Sequence, residues 1–198
     1  MPSEYDPLFS SEPRSETADL DSVRDLFEAA SRPFLRSPWS WFAWAAILPA
    51  AALATPLAFR AGGPTWVLFT WSGAILLGGL FEFLAIRRSG PGATGTPLAS
   101  WALRVQGNLS LVALALSVLL LWIDQPWALP GVWLLLLGHS FYALGGLAFP
   151  AFRGCGVIYQ VGGLAALWPD GAPLVAFALA AALGNVWVGM GVWRIRRG

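Results

Sequence analysis

The chain has 198 residues, of which 57% are apolar and only 12% are charged. A water-soluble domain of this length needs a larger charged surface, so the composition excludes an ordinary soluble protein and favours an integral membrane protein. Residues 1–38 hold eight of the eleven acids and four arginines, a net charge of −4, whereas the rest of the chain carries eight arginines against three acids. Lysine is absent, which excludes Schiff-base chemistry and retinal-type attachment.

Residues 1–38 are predicted to form an acidic cytoplasmic tail. Residues 1–16 are polar and interrupted by three prolines, so they bury too little apolar surface to offset the entropy of ordering, and disorder is predicted. Within residues 17–30, apolar side chains recur at three and four residues, which predicts an amphipathic helix. A solvated helix over the bundle is the favoured interpretation, and a docking helix for a partner protein is the alternative.

Six apolar runs follow the tail, each ended by a turn rich in Gly, Pro or charged residues. A bilayer core about 30 Å thick needs roughly 20 apolar residues in a helix. The predicted spans are Trp39–Phe59, Thr65–Ile86, Leu98–Ile123, a segment within Trp127–Phe149, a segment within Phe152–Trp168, and Leu174–Trp193. Residues 39–198 therefore predict an all-α, polytopic membrane helical bundle with six transmembrane helices. The boundary between the fourth and fifth spans is the least defined.

The arginines near the span ends predict the orientation, because positively charged loops are retained in the cytoplasm. With the amino terminus inside, nine of these arginines fall on the cytoplasmic side and only Arg60 falls outside. An odd number of spans would place the three carboxy-terminal arginines outside. Six spans with both termini in the cytoplasm are therefore predicted, and the cell (inner) membrane of a prokaryote is the expected location.

Polar side chains within the predicted spans form a candidate intramembrane cluster. Burying a polar group in hydrocarbon costs a few kcal/mol, so each one calls for a structural or functional reason. Counting along the helices places them in the cytoplasmic half and near the midplane. The predicted cluster comprises Glu82, Arg104, Asn108, His139, Tyr142, Tyr159, Gln160 and Asn185.

Glu82 and Arg104 lie at similar predicted depths on consecutive antiparallel spans, so an ion pair between them is geometrically reasonable. The favoured interpretation is structural: the pair joins two helices, or Arg104 extends to the headgroups. Asn108 lies one turn deeper than Arg104 on the same helix face. A functional role for these intramembrane groups is the alternative.

His139 is the only histidine in the chain. It could relay protons or bind a ligand, but a hydrogen bond from a neutral imidazole to Asn185 or Gln160 is the favoured interpretation. One His, one Cys and one intramembrane Glu do not supply a zinc or haem site, so no metal and no cofactor are predicted. No nucleic-acid module is visible either.

Residues 138–142, Gly-His-Ser-Phe-Tyr, partly match the G-x-S-x-G elbow of serine hydrolases. The second glycine is missing and the segment lies inside a predicted helix, so the match is interpreted as chance. Several glycines in the last two spans have spacings that let transmembrane backbones approach closely, and tight packing is their expected role.

Three functions remain open. A small membrane-complex subunit or scaffold, partnered by another membrane protein or by further copies of itself, ranks narrowly first. A small transporter or ligand-binding membrane protein, with a polar site in the cytoplasmic half of the bundle, is the alternative. An intramembrane enzyme ranks last, because no pair of nucleophile and base is visible.

Overall fold

The computed structural model describes residues 37–88, 97–147 and 149–197. Regular structure in these ranges is entirely helical, with a 3₁₀ turn at Pro126–Ala128. The α-helices are α1 Pro38–Arg88, α2 Pro97–Trp122, α3 Leu129–Leu147, α4 Ala151–Ala166 and α5 Pro173–Arg197. The predicted disorder at residues 1–16 and the predicted amphipathic helix at residues 17–30 lie outside the described residues.

Helix α1 is a hairpin of two helical arms, residues 38–61 and 64–88. The helix is interrupted at Gly62 and Gly63, and Gly63 has φ 65° and ψ −152°, a conformation that is open essentially only to glycine. Trp71 Nε1 donates a hydrogen bond to Thr55 Oγ1 at 3.1 Å. In a straight helix these residues would lie about 24 Å apart. The chain therefore reverses within Arg60–Pro64, where the sequence predicts a turn.

Among the described residues, four helices are long and apolar enough to cross a membrane, with α3 counted together with the turn that precedes it. They are α1, α2, α3 and α5, whereas α4 has 16 residues. Their composition is that of a membrane protein, as the sequence predicts. The helix boundaries also follow the predicted ones: α2 begins and ends within one residue of the predicted third span.

The core lies where α3, α4 and α5 meet the first arm of α1. Trp41 of that arm contacts Phe141 of α3 and Phe152 of α4, with ring centroids 6.0 and 5.5 Å apart. Phe141 also packs edge-on against Tyr159, with centroids 5.6 Å apart. Offset and edge-on aromatic pairs at this distance add to the packing energy. These rings join three helices into one aromatic cluster.

Helices α3 and α4 approach each other at backbone distance. A Cβ atom added to Gly156 would lie 2.6 Å from the backbone nitrogen of Tyr142 and 2.7 Å from the carbonyl oxygen of Gly138. Both obstacles are backbone atoms, so neither can move aside without separating the helices. The close packing that the glycine spacing predicts is confirmed at this crossing.

Helix α2 lies at the edge of the bundle and packs chiefly against α3. Among the described side chains, two hydrogen bonds join the pair. The hydroxyl of Ser140 donates to Oε1 of Gln106, and Trp133 Nε1 donates to Ser117 Oγ at 2.9 Å. In the most apolar stretch of 18 residues in α2, only 6% of the residues are buried. In the corresponding stretch of α5, 50% are buried. Most of the α2 surface is therefore exposed on the outside of the bundle.

The loops on the side opposite the chain ends contain two aspartates with unusual backbone angles. Asp124 precedes α3 with φ 57°, and Asp170 precedes α5 with φ 60°. Aspartate adopts this left-handed conformation more readily than most side chains. The sequence predicts a turn at both positions. On the other side, Phe149 and Pro150 separate α3 from α4, which defines the boundary that the sequence left least certain.

Candidate functional site

The eight residues of the predicted polar cluster do not form one site. Three of them, Arg104, Asn108 and His139, line an open cleft between α2 and α3. Tyr159 and Asn185 instead form a sealed pair in the core. The others lie apart from both groups: Glu82 on the second arm of α1, Tyr142 on the exposed surface of α3, and Gln160 half-buried beside Gly138.

The cleft has a volume of about 360 Å³, which is at the lower end of the range for small-molecule sites. Arg104 and Asn108 line it from α2, because residues four apart share one helix face. From α3 it is lined by His139 and Ser140. The apolar remainder of the lining is Val105, Leu109 and Ala143.

The cleft combines a fixed inner wall with exposed hydrogen-bond donors. Ser140 is buried, and its hydroxyl group is used in the hydrogen bond to Gln106 that joins the two helices. The side chains of Arg104, Asn108 and His139 are exposed. A guanidinium group, an amide and an imidazole can all donate hydrogen bonds, so the mouth of the cleft is suited to an oxygen-rich or anionic group.

The structure does not show the ion pair that the sequence suggested between Glu82 and Arg104. Within the described ranges, no carboxylate pairs with Arg104. The physical reason is the packing of the helices. Helix α1, which carries Glu82, packs mainly against α5, whereas α2 packs against α3. Neighbours in sequence are not neighbours in space here, and the guanidinium of Arg104 faces the cleft.

The hydrogen bond expected between His139 and Asn185 or Gln160 is also not formed. Asn185 Nδ2 instead donates to Tyr159 Oη at 2.7 Å and to the carbonyl oxygen of Ala181 at 2.8 Å. Tyr159 is 2% exposed and Asn185 3% exposed, so this pair is shielded from ligands. His139 lies on the side of α3 that faces α2. The pair of Tyr159 and Asn185 is a structural contact between α4 and α5.

Sequence reasoning missed Gln106 and gave Ser140 no role. In the sequence, Ser140 is notable only as part of the hydrolase-like segment 138–142, whereas in the structure its hydroxyl group holds α2 against α3. It lies inside helix α3, and no base among the described residues is hydrogen-bonded to it. One feature of the sequence could have indicated Gln106. It lies between Arg104 and Asn108 on a helix with few other polar residues.

No protein-family model, curated protein or solved structure matches the chain. Among residues 37–88, 97–147 and 149–197, no three His, Cys, Asp or Glu side chains lie close enough together to hold a metal ion. The cleft presents hydrogen-bond donors without an activated nucleophile, an arrangement suited to binding.

Proposed function

We propose that this chain is a six-span integral membrane protein with both termini in the cytoplasm, located in the inner membrane of a prokaryote. The hairpin form of α1 supports this count, because each arm is about 36 Å long and exceeds the thickness of the bilayer core. Counted with α2 to α5, the two arms give six segments. The strong bias of arginines toward one side supports the orientation.

Within that membrane, we propose that the protein binds a small ligand in the cleft between α2 and α3. The observation that carries this proposal is that Arg104, Asn108 and His139 line one open cavity of about 360 Å³. Polar groups this close to hydrocarbon are costly unless something offsets their desolvation. A polar residue with a purely structural role is expected to form a hydrogen bond within the protein, as Asn185 does in the core.

The alternative function, a subunit or scaffold in a membrane complex, is favoured by a different observation. Helix α2 packs chiefly against one neighbour and exposes large apolar side chains such as Leu114, Val118 and Trp122 along its length. A second membrane protein or another copy of this chain could cover that surface. Lipid chains cover it equally well, since they are as apolar as the side chains, so this surface supports the scaffold less strongly than the cleft supports binding.

Blocking the cleft tests the binding function. In Ala143→Trp, an indole ring is placed in the cavity lining, and in the matched control Ala115→Trp the same ring is placed on an exposed position of α2 outside the cleft. The wild-type protein and both variants are purified in a mild detergent, and their bound small molecules and lipids are identified by mass spectrometry. We expect a ligand that is retained by wild type and by Ala115→Trp but lost from Ala143→Trp.

The same preparations decide between the two functions. If no retained molecule depends on the cleft, the binding function is refuted. A partner protein that co-purifies in fixed stoichiometry and is lost when α2 carries the Ala115→Trp ring would then support the scaffold. Labelling of single cysteines placed at Arg60 and Arg87, in a protein whose own Cys155 is replaced by alanine, tests the six spans: the two positions must be labelled from opposite sides.

A further inference from the structure

The position of Arg104 along α2 indicates which ligand can reach it. Helix α2 runs from Pro97 to Trp122, and Arg104 lies 18 residues before its last residue. That separation is about 27 Å along the helix axis, close to the thickness of the hydrocarbon core. Trp122 is 84% exposed, at the level where indole rings settle at the interface. Arg104 is therefore placed at the opposite boundary of the core, next to the headgroups of the inner leaflet.

The other donors of the cleft lie deeper. Asn108 is one turn further along α2, about 6 Å below Arg104. His139 lies 12 residues after the half-exposed Trp127, which is next to Trp122 in the connecting turn, so it is about 18 Å from that end and about 9 Å deeper than Arg104. The two antiparallel helices thus present a guanidinium group at the boundary and two further donors, an amide and an imidazole, within the next two turns.

The cleft also opens sideways. It lies between two adjacent helices of which one, α2, is at the edge of the bundle, and its donor side chains are exposed. In a membrane, such an opening faces lipid. Its walls include Val105 and Leu109, which are apolar. A ligand that enters from this side carries a polar group at the level of the headgroups and apolar chains below it.

Building on the binding function proposed above, we propose that the cleft binds the phosphate group of a glycerophospholipid from the inner leaflet. Arg104 donates to the phosphate oxygens, and Asn108 and His139 donate to the ester oxygens of the glycerol, which lie below the phosphate. A guanidinium group is well matched to phosphate, because its planar set of donors can bind two oxygens at once. Val105 and Leu109 contact the first methylene groups of the acyl chains.

The depth of the donors favours a lipid over a free phosphate ion. Inorganic phosphate would use Arg104 in the same way, since the two ligands share the phosphoryl group. It would leave the donors deeper in the cleft, and the apolar walls, without a partner. To reach those deeper donors, a phosphate ion would have to enter hydrocarbon with its full charge, which is strongly unfavourable. A lipid brings its phosphate to the boundary without crossing it.

The experiment measures lipid binding to the full chain in detergent by native mass spectrometry. The titrated probes are phosphatidylglycerol, which carries the phosphate, and diacylglycerol, which has the same acyl chains without it. Inorganic phosphate in excess is added as a competitor. The variants are Arg104→Gln and the matched control Arg88→Gln, which removes the same charge from the exposed end of α1, outside the cleft.

The proposal requires that phosphatidylglycerol binds wild type and Arg88→Gln equally, and Arg104→Gln roughly tenfold more weakly, about the loss of one charge-assisted hydrogen bond. His139→Gln should weaken binding by a smaller factor, and diacylglycerol should bind wild type as weakly as phosphatidylglycerol binds Arg104→Gln. Equal losses in Arg104→Gln and Arg88→Gln would indicate general surface charge and overturn the proposal. Displacement of phosphatidylglycerol by inorganic phosphate would also overturn it, in favour of a free anion.

Failure of this inference is distinguishable from failure of the binding function. If diacylglycerol or another phosphate-free molecule binds as tightly as phosphatidylglycerol, and Ala143→Trp abolishes that binding, the cleft is a ligand site but not for phosphate. If Ala143→Trp has no effect on any bound molecule, both the inference and the binding function are wrong. Circular dichroism of each variant confirms that the helices are retained, so that lost binding is not lost folding.

Discussion

Helices α2 and α4 both pack against α3, but they do so in different ways. Helix α4 meets it at backbone distance through Gly156 and Gly138, and helix α2 is joined to it by two side-chain hydrogen bonds. Apolar side chains gain little by leaving lipid for each other, so close packing and hydrogen bonds decide how tightly transmembrane helices associate. The close contact leaves no room for a ligand, whereas the loose one leaves a cleft.

The difference in packing between these two helices affects both stability and function. The aromatic cluster joins α3 and α4 to the first arm of α1, and the sealed pair of Tyr159 and Asn185 joins α4 to α5. The loosely packed helix α2 contributes Arg104 and Asn108, which line the cleft together with His139. Regions that bind ligands are often less stable locally than the core that supports them. Substitutions in the two regions should therefore differ in both size and character.

The largest difference is expected from the same truncation made in each region. Leu134 of α3 is fully buried, whereas Leu114 of α2 is 57% exposed. Leu134→Ala should lower the free energy of unfolding by about 3 kcal/mol, because it leaves a cavity in a packed core. Leu114→Ala should change it by less than about 0.5 kcal/mol. Unfolding of both variants in detergent measures the difference, and equal losses would show that α2 is packed as tightly as the core.

A second test adds one methyl group at each interface. Gly156→Ala should lower the free energy of unfolding by about 2 kcal/mol, since the added Cβ meets backbone atoms of α3. Gly107→Ala on α2 is the control, because no described atom of another helix lies within 4 Å of its added Cβ. Thermal unfolding of the two variants measures the effect. If Gly156→Ala is as stable as wild type, the backbone contact between α3 and α4 is wrong.

The buried pair provides a third test, confined to the core. Asn185→Leu leaves the hydroxyl group of Tyr159 without its hydrogen-bond donor and should cost about 1–3 kcal/mol. Tyr159→Phe removes that hydroxyl, so the double variant should be more stable than the sum of the single losses predicts. Denaturant unfolding of all four proteins gives the coupling. Strictly additive losses would contradict the hydrogen bond.

The smallest effect is expected where α2 is held to α3. Ser117→Ala removes the acceptor of the Trp133 hydrogen bond and should cost only about 1 kcal/mol. Its signature is local: amide hydrogen exchange should speed up in α2 and not in α5. Ser110→Ala is the control, because the hydroxyl of Ser110 bonds only within its own helix, to the carbonyl of Gln106. Faster exchange throughout the bundle would mean that α2 unfolds together with the core.

The polar cluster shows where prediction from sequence stopped. Counting residues along each helix placed Arg104, Asn108 and His139 at comparable depths and put the first two on one face, and the structure brings these three together. The same counting placed Asn185 beside His139, but Asn185 bonds Tyr159 in the core. Depth follows from position along a helix, whereas the direction that a side chain faces depends on which helix lies opposite.

The sequence by itself determined the apolar, helical character of the chain and the places where it turns. Long apolar runs are typical of helices that satisfy every backbone hydrogen bond within the segment, and Gly, Pro and Asp mark where those runs turn. The order of the helices around the bundle was decided only in the tertiary structure. It depends on close contacts such as Gly156 against Gly138, and on hydrogen bonds such as Ser140 to Gln106. These contacts join residues on different helices. Because they pair α2 with α3, Arg104 faces an open cleft.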